Sequence, residues 1–150
     1  MKHLQTLAPK LFAKLEKANE NSLRKICYRV CDYAATANRP HDPLIDEAIG
    51  YLRLGNECRQ GMVTDLDELM NRLDERYFDL KDRVDEMMES PDREQLLAES
   101  DEYFRKARVA AALRVAVGSD AFEAATESIY EAAASVDNNV DVFDLAASLI

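Results

Sequence analysis

The chain has 150 residues, 47% of them hydrophobic, and its 29 Asp/Glu against 19 Lys/Arg give a formal charge of −10. That length suits a single domain spanning 1–150, able to bury roughly two thirds of the surface its extended chain would expose without disulfides or a metal. The negative field opposes nucleic acid, since non-specific binding depends on neutralising phosphates, and no apolar run approaches the roughly 18 residues of a membrane span, which argues against integral membrane association.

The charge is unevenly spread. Residues 1–39 hold eight Lys/Arg against three Asp/Glu, whereas residues 62–108 hold eight against fifteen and residues 109–150 one against seven. Pro9 suits the first turn of an opening helix carrying Leu11, Phe12, Leu15 and Ala18. After NENS, Ser22 is expected to cap a second helix whose apolar residues, from Leu23 through Ala35, recur at three and four. NRPHDP (38–43) breaks the chain, with Asp42 as N-cap and Pro43 at N1 of a third helix that Gly61 is expected to close.

Thr64 and Asp67 resemble a capping box and open a long fourth helix. Leu66, Leu69, Met70, Leu73, Tyr77, Leu80, Val84, Met87 and Met88 fall in one stripe a little over about 100° wide, the pattern of a core face. Ser90 and Pro91 stop this helix and start the fifth, because a proline's missing donor is harmless only in the first turn. The fifth begins amphipathic, then becomes apolar nearly all round over 109–117. A helix of that kind must be covered on every side, which puts 109–117 at the centre with Arg114 as its one polar group. Gly118 ends it; a sixth helix over 120–136 and a short terminal helix follow. Short connections predict a compact all-α bundle of six or seven mostly antiparallel helices. A short stack of helical hairpins is the alternative, without a fixed repeat period to support it.

Few motifs carry chemistry. Asp82/Asp85, Glu86/Glu89 and Glu99/Glu102 are spaced in a way similar to the paired carboxylates with which all-helical nucleotide pyrophosphohydrolases hold magnesium. Such a site needs carboxylates from facing helices to converge, and the first four point away from the apolar seam. A di-iron or di-manganese bundle would need Glu-x-x-His on facing helices, whereas the histidines are His3 and His41. Cys27 and Cys31 share a helical face with no second ligand pair, as expected of buried inert thiols, and Cys58 is distant in the chain. With no export signal and no disulfide framework, the expected setting is reducing and cytoplasmic. No cofactor, metal site or catalytic residue is expected.

Phe78 departs from the pattern. It lies about 100° from Tyr77, in the middle of the polar side of the fourth helix. Either another helix covers it, or it is an apolar anchor ringed by acid, with Asp74, Glu75, Asp79, Asp82 and Asp85 as the rim. Aromatic anchors supply affinity while rim charges speed encounter, so the ringed anchor suits a partner with a basic surface. The basic residues Lys10, Lys14, Lys17, Arg24, Lys25 and Arg29 offer a complementary face within the same chain or a second copy. The expected role is therefore a protein-interaction module, binding a protein partner or self-associating. Small acidic helical proteins of the immunity, antitoxin and adaptor kinds share this class and charge. The alternative is a helical divalent-metal-dependent hydrolase acting through its Asp/Glu pairs.

Overall fold

A computed structural model describes residues 3–39 and 41–150; Met1 and Lys2 of the opening segment and Pro40 of the 38–43 break lie outside the described residues. These residues form an all-α bundle of eight helices: α1 (His3–Leu7), α2 (Pro9–Glu16), α3 (Glu20–Asn38), α4 (Pro43–Leu54), α5 (Met62–Asp85), α6 (Pro91–Ala116), α7 (Ala121–Ala134) and α8 (Asn139–Ser148). That is one helix more than the upper count expected from sequence. The addition is α1, a single short helix ahead of Pro9 that buries Leu4.

Asp42 and Ser90 stand where expected at the starts of α4 and α6, whereas Asp120, expected inside the sixth helix, stands just before α7 as its cap. The Asp42 carboxylate accepts the Leu44 N–H, the Ser90 hydroxyl accepts the Arg93 N–H and the Asp120 carboxylate accepts the Glu123 N–H. Each satisfies a donor that the first turn leaves without an intrahelical partner. Other boundaries differ. Asn19, not Ser22, caps α3, its side chain accepting the Ser22 N–H at 2.8 Å. Gly55 ends α4 at φ 69° and Gly61 precedes α5 at φ 89°, so both glycines take left-handed backbone that other residues adopt at a cost. Thr64 and Asp67 lie inside α5, and Asp67 is within 2.8 Å of Arg114 rather than at a cap. The helix also stops at Asp85, five residues before Ser90, which leaves Glu86 to Glu89 in the turn and Met88 87% exposed instead of in the core stripe.

All eight helices contribute to one core cluster, in which the second half of α6 packs against α3, α4, α5 and α7. A stack of hairpins would limit each unit to its neighbours in sequence; here α3 meets α4, α6, α7 and α8. Val109, Ala110, Ala111, Ala112 and Leu113 form the longest unbroken run of buried residues, in the segment expected to be central. The buried Ser100, Ser128 and Ser135 hydroxyls each donate to the carbonyl three residues back, so their polarity is satisfied within their own helix. Cys27 and Cys31 are fully buried on α3; burial pushes the Cys27 thiol up to about 11 and raises Cys31 as well, which keeps both in the unreactive protonated form.

Two arginines tie segments distant in sequence. Arg24 of α3 donates to the carbonyls of Gly118 at 2.8 Å and Ser119 at 2.7 Å, and more weakly to Ala116 at 3.4 Å, closing the C-terminal end of α6. A cation there also opposes the negative end of the helix dipole. This residue of the basic head is therefore engaged in holding the fold. Arg114, the other, is 41% exposed at the edge of the core, its Nε beside Asp67 as an ion pair.

The candidate interaction surface

α5 and α6 continue together beyond the core. Leu80 and Val84 are buried yet stand outside the core cluster that holds Leu66, Leu69, Val109, Ala110, Ala112 and Leu113. Among the described residues, no hydrogen bond or ion pair joins 75–104 to any element other than α5, α6 and the turn between them. The distal halves of the two helices thus form a two-helix arm, about 20 Å long at 1.5 Å per residue.

The joint between arm and body is polar. Arg108 of α6 donates to Asp74 of α5 at 3.1 and 3.2 Å and to Glu131 of α7 at 3.0 Å, all three side chains being largely buried. Burial raises the Glu131 carboxyl above the usual range against the pull of Arg108. The Arg108 guanidinium carbon also sits 5.5 Å from the centre of the Phe104 ring, within cation–π reach. One turn away, Arg105 pairs with Asp137 in the link to α8 and holds that carboxyl below its usual range.

Three aromatic rings form a ridge across one edge of the arm. Phe78 and Tyr77 are 5.1 Å apart between ring centroids, and Tyr77 and Phe104 5.3 Å, in tilted contacts. Such contacts add to area burial. Phe78 is 59% exposed and Phe104 36%, so among the described residues no helix caps the ridge. The expected rim separates into two groups. Glu75, Asp79, Asp82 and Asp85 are exposed, and none takes part in an ion pair among the described residues. Asp74 is not a free rim charge but the half-buried partner of Arg108. Its place is explained by the helix itself, since position 74 turns toward α6 where position 75 turns away.

Phe104 had no place in the reading of the sequence, although a signal was present. The dipeptide Tyr-Phe occurs at 77–78 on α5 and again at 103–104 on α6. Adjacent helical residues diverge by about 100°, so each pair must send one ring away from the seam between the helices.

The opposite edge of the arm is closed by polar chains. Arg76 lies 3.9 Å from Glu99, and Arg76 and Lys106 both stand over the Tyr103 ring, at 5.8 and 5.9 Å from its centroid, while Glu102 pairs with Lys106 at 3.2 Å. The carboxylate pairs considered for magnesium are divided by this geometry. Asp82 and Asp85 belong to the Phe78 side, Glu86 and Glu89 to the turn, and Glu99 and Glu102 to the Arg76/Lys106 edge. Among the described residues no group of three or more His, Cys, Asp or Glu is placed to hold a metal ion. Among the same residues no helix is long and apolar enough to cross a membrane.

An open cleft of about 340 Å³ does border Arg114, but Asp120, Glu123 and Glu127 share its lining and Asp67 already faces the guanidinium. Those carboxylates repel an anion, so the cleft does not suit Arg114 as an anion-binding group. Comparison with known protein families, curated proteins and solved structures finds no match for this chain.

Proposed function

We propose that the chain is a protein-interaction module whose contact surface is the Phe78 side of the α5/α6 arm, and that its partner presents a basic surface. The observation that carries this reading is Phe78 itself, a large aromatic side chain 59% exposed among the unpaired acids Glu75, Asp82 and Asp85. Exposed aromatics of this kind act as anchors, supplying most of the affinity once water is excluded, while surrounding acids act mainly on the rate of encounter. Immunity proteins, antitoxins and adaptors include small acidic helical proteins of this class and charge, and that general likeness is the extent of the analogy.

The test is a pull-down from native cell extract with the wild-type chain, Phe78→Ala and the double variant Glu75→Lys/Asp82→Lys, after circular dichroism confirms that all three fold. A partner recovered by wild type and lost by Phe78→Ala supports the surface. For that partner, the charge reversals are expected to slow association and flatten its dependence on salt. Equal recovery of the partner by wild type and Phe78→Ala would remove Phe78 from the interface.

A further inference from the structure

Resting on that reading of the arm, we infer that the basic partner is recognised as an amphipathic helix, which lies along the Phe78/Phe104 edge and completes a three-helix bundle with α5 and α6. Two packed helices leave two open grooves, and here the grooves are unlike. Arg76, Glu99, Tyr103 and Lys106 close one with their own ion pair and cation–π contacts. The other presents the Tyr77, Phe78 and Phe104 rings in tilted contact, and Arg108, 5.5 Å from the centre of the Phe104 ring, is already engaged by Asp74 and Glu131.

The ridge crosses from one helix to the other, as a third helix packing between two requires. Both flanks are helical, with their backbone groups paired along the helix, so the edge offers no ladder to an added strand. Residues 74–85 provide about three turns, or about 18 Å, for an occupant of about 12 residues with apolar side chains at i, i+3, i+4 and i+7.

Charge specifies the flanks of the occupant. Glu75, Asp82 and Asp85 on α5 and Asp101 on α6 are exposed without ion pairs among the described residues; of the three cations over 74–85, Arg76 is paired with Glu99 on the closed edge, leaving Lys81 and Arg83. Lys or Arg beside the apolar stripe of the occupant would pair with these acids as flanking charges do in coiled coils. The basic head of a second copy does not meet the requirement. Its short α2 already buries Leu11, Phe12 and Leu15 in its own core and has no apolar stripe left to insert.

The test uses the full chain and two synthetic 18-residue peptides of identical Leu, Ala and Lys composition, one with Leu at helical spacing and the other scrambled. Binding is followed by fluorescence anisotropy and peptide helicity by circular dichroism. The patterned peptide is expected to bind at least tenfold more tightly than the scrambled one and to gain helicity on binding. Phe78→Ala and Phe104→Ala are each expected to weaken it tenfold or more, with Arg76→Ala on the closed edge unchanged. Phe78 is exposed, so its variant keeps the test valid even if Phe104→Ala loosens the arm. Equal, salt-sensitive binding of the two peptides would overturn the helical occupant while leaving a basic partner in place. Binding of neither peptide would overturn both readings.

Discussion

The two halves of α6 meet opposite surroundings within one continuous helix. Over 107–116, seven of ten residues are buried, in the half of a helix that packs against α3, α4, α5 and α7; over 91–104 the only buried residue is Ser100, and among the described residues no hydrogen bond or ion pair reaches beyond α5, α6 and the turn between them. The difference teaches where rigidity and recognition reside. A segment enclosed on all sides is held by many contacts and has no surface to offer. A segment packed on one side keeps its shape from a single seam, centred on Leu80 and Val84, and leaves the rest of its circumference free to meet another molecule.

Truncation in the two regions should therefore fail differently. Leu113→Ala removes a fully buried side chain from the enclosed half and is expected to cost about 2–5 kcal/mol, read as a lower midpoint of global denaturation. Leu80→Ala, in the arm seam, is expected to fall at the lower end of that range because its surroundings can collapse. Its effect should appear first as faster amide hydrogen exchange over 76–103, with exchange over 109–113 unchanged. Equal acceleration in both segments would show that arm and body unfold as one unit.

Arg108→Ala acts where the regions join. It leaves Asp74 and Glu131 without their cation and is expected to cost about 1.5–3 kcal/mol, as for charged hydrogen bonds. The same joint carries a pH signature. Burial raises the Glu131 carboxyl above its unfolded value of 4.5, so between 4.5 and the raised value the folded chain holds more protons than the unfolded chain. Stability should fall as pH rises through that window, and Glu131→Gln should flatten the slope in chemical denaturation at successive pH values. Asp137 has the opposite sign. Arg105 lowers its carboxyl from 3.8, so its contribution is present above that value and is lost as pH falls through the lowered one. The smallest effect belongs to Phe78→Ala, expected to change stability by no more than about 0.5 kcal/mol because the ring is exposed. A loss of several kcal/mol in thermal or chemical denaturation would place the ring in a packed site instead.

What the sequence made legible follows from how local each signal is. The caps at Asp42 and Ser90 are set by side chains bonding within the first turn, and the burial of 109–113 by a lack of any polar face to expose. The two-helix arm was not legible. An apolar stripe on α5 states that something covers Leu80 and Val84, but one helix suffices where residues further back meet several. The glycines misled for a similar reason. Gly55 and Gly61 both take positive φ, one after a helix and one before the next, and sequence alone does not separate the two uses. Helical phase places Phe78 on the polar side without saying what stands opposite it, so the sequence does not determine its exposure. Asp74 shares the polar side of α5 with the rim acids, and its pairing depends on Arg108, 34 positions along the chain.

α6 runs for 26 residues from Pro91 to Ala116, with no proline or glycine after its first position, and its far end is gripped by Arg24. A helix without those breaks has no built-in point of sharp flexure. At about 39 Å, it acts as a lever whose fulcrum lies at the Arg108 joint and whose short end is clamped to α3. A load applied to the 91–104 end, which carries Phe104, is therefore delivered as torque to the core, and the grip of Arg24 on Gly118 and Ser119 is where that torque is resisted.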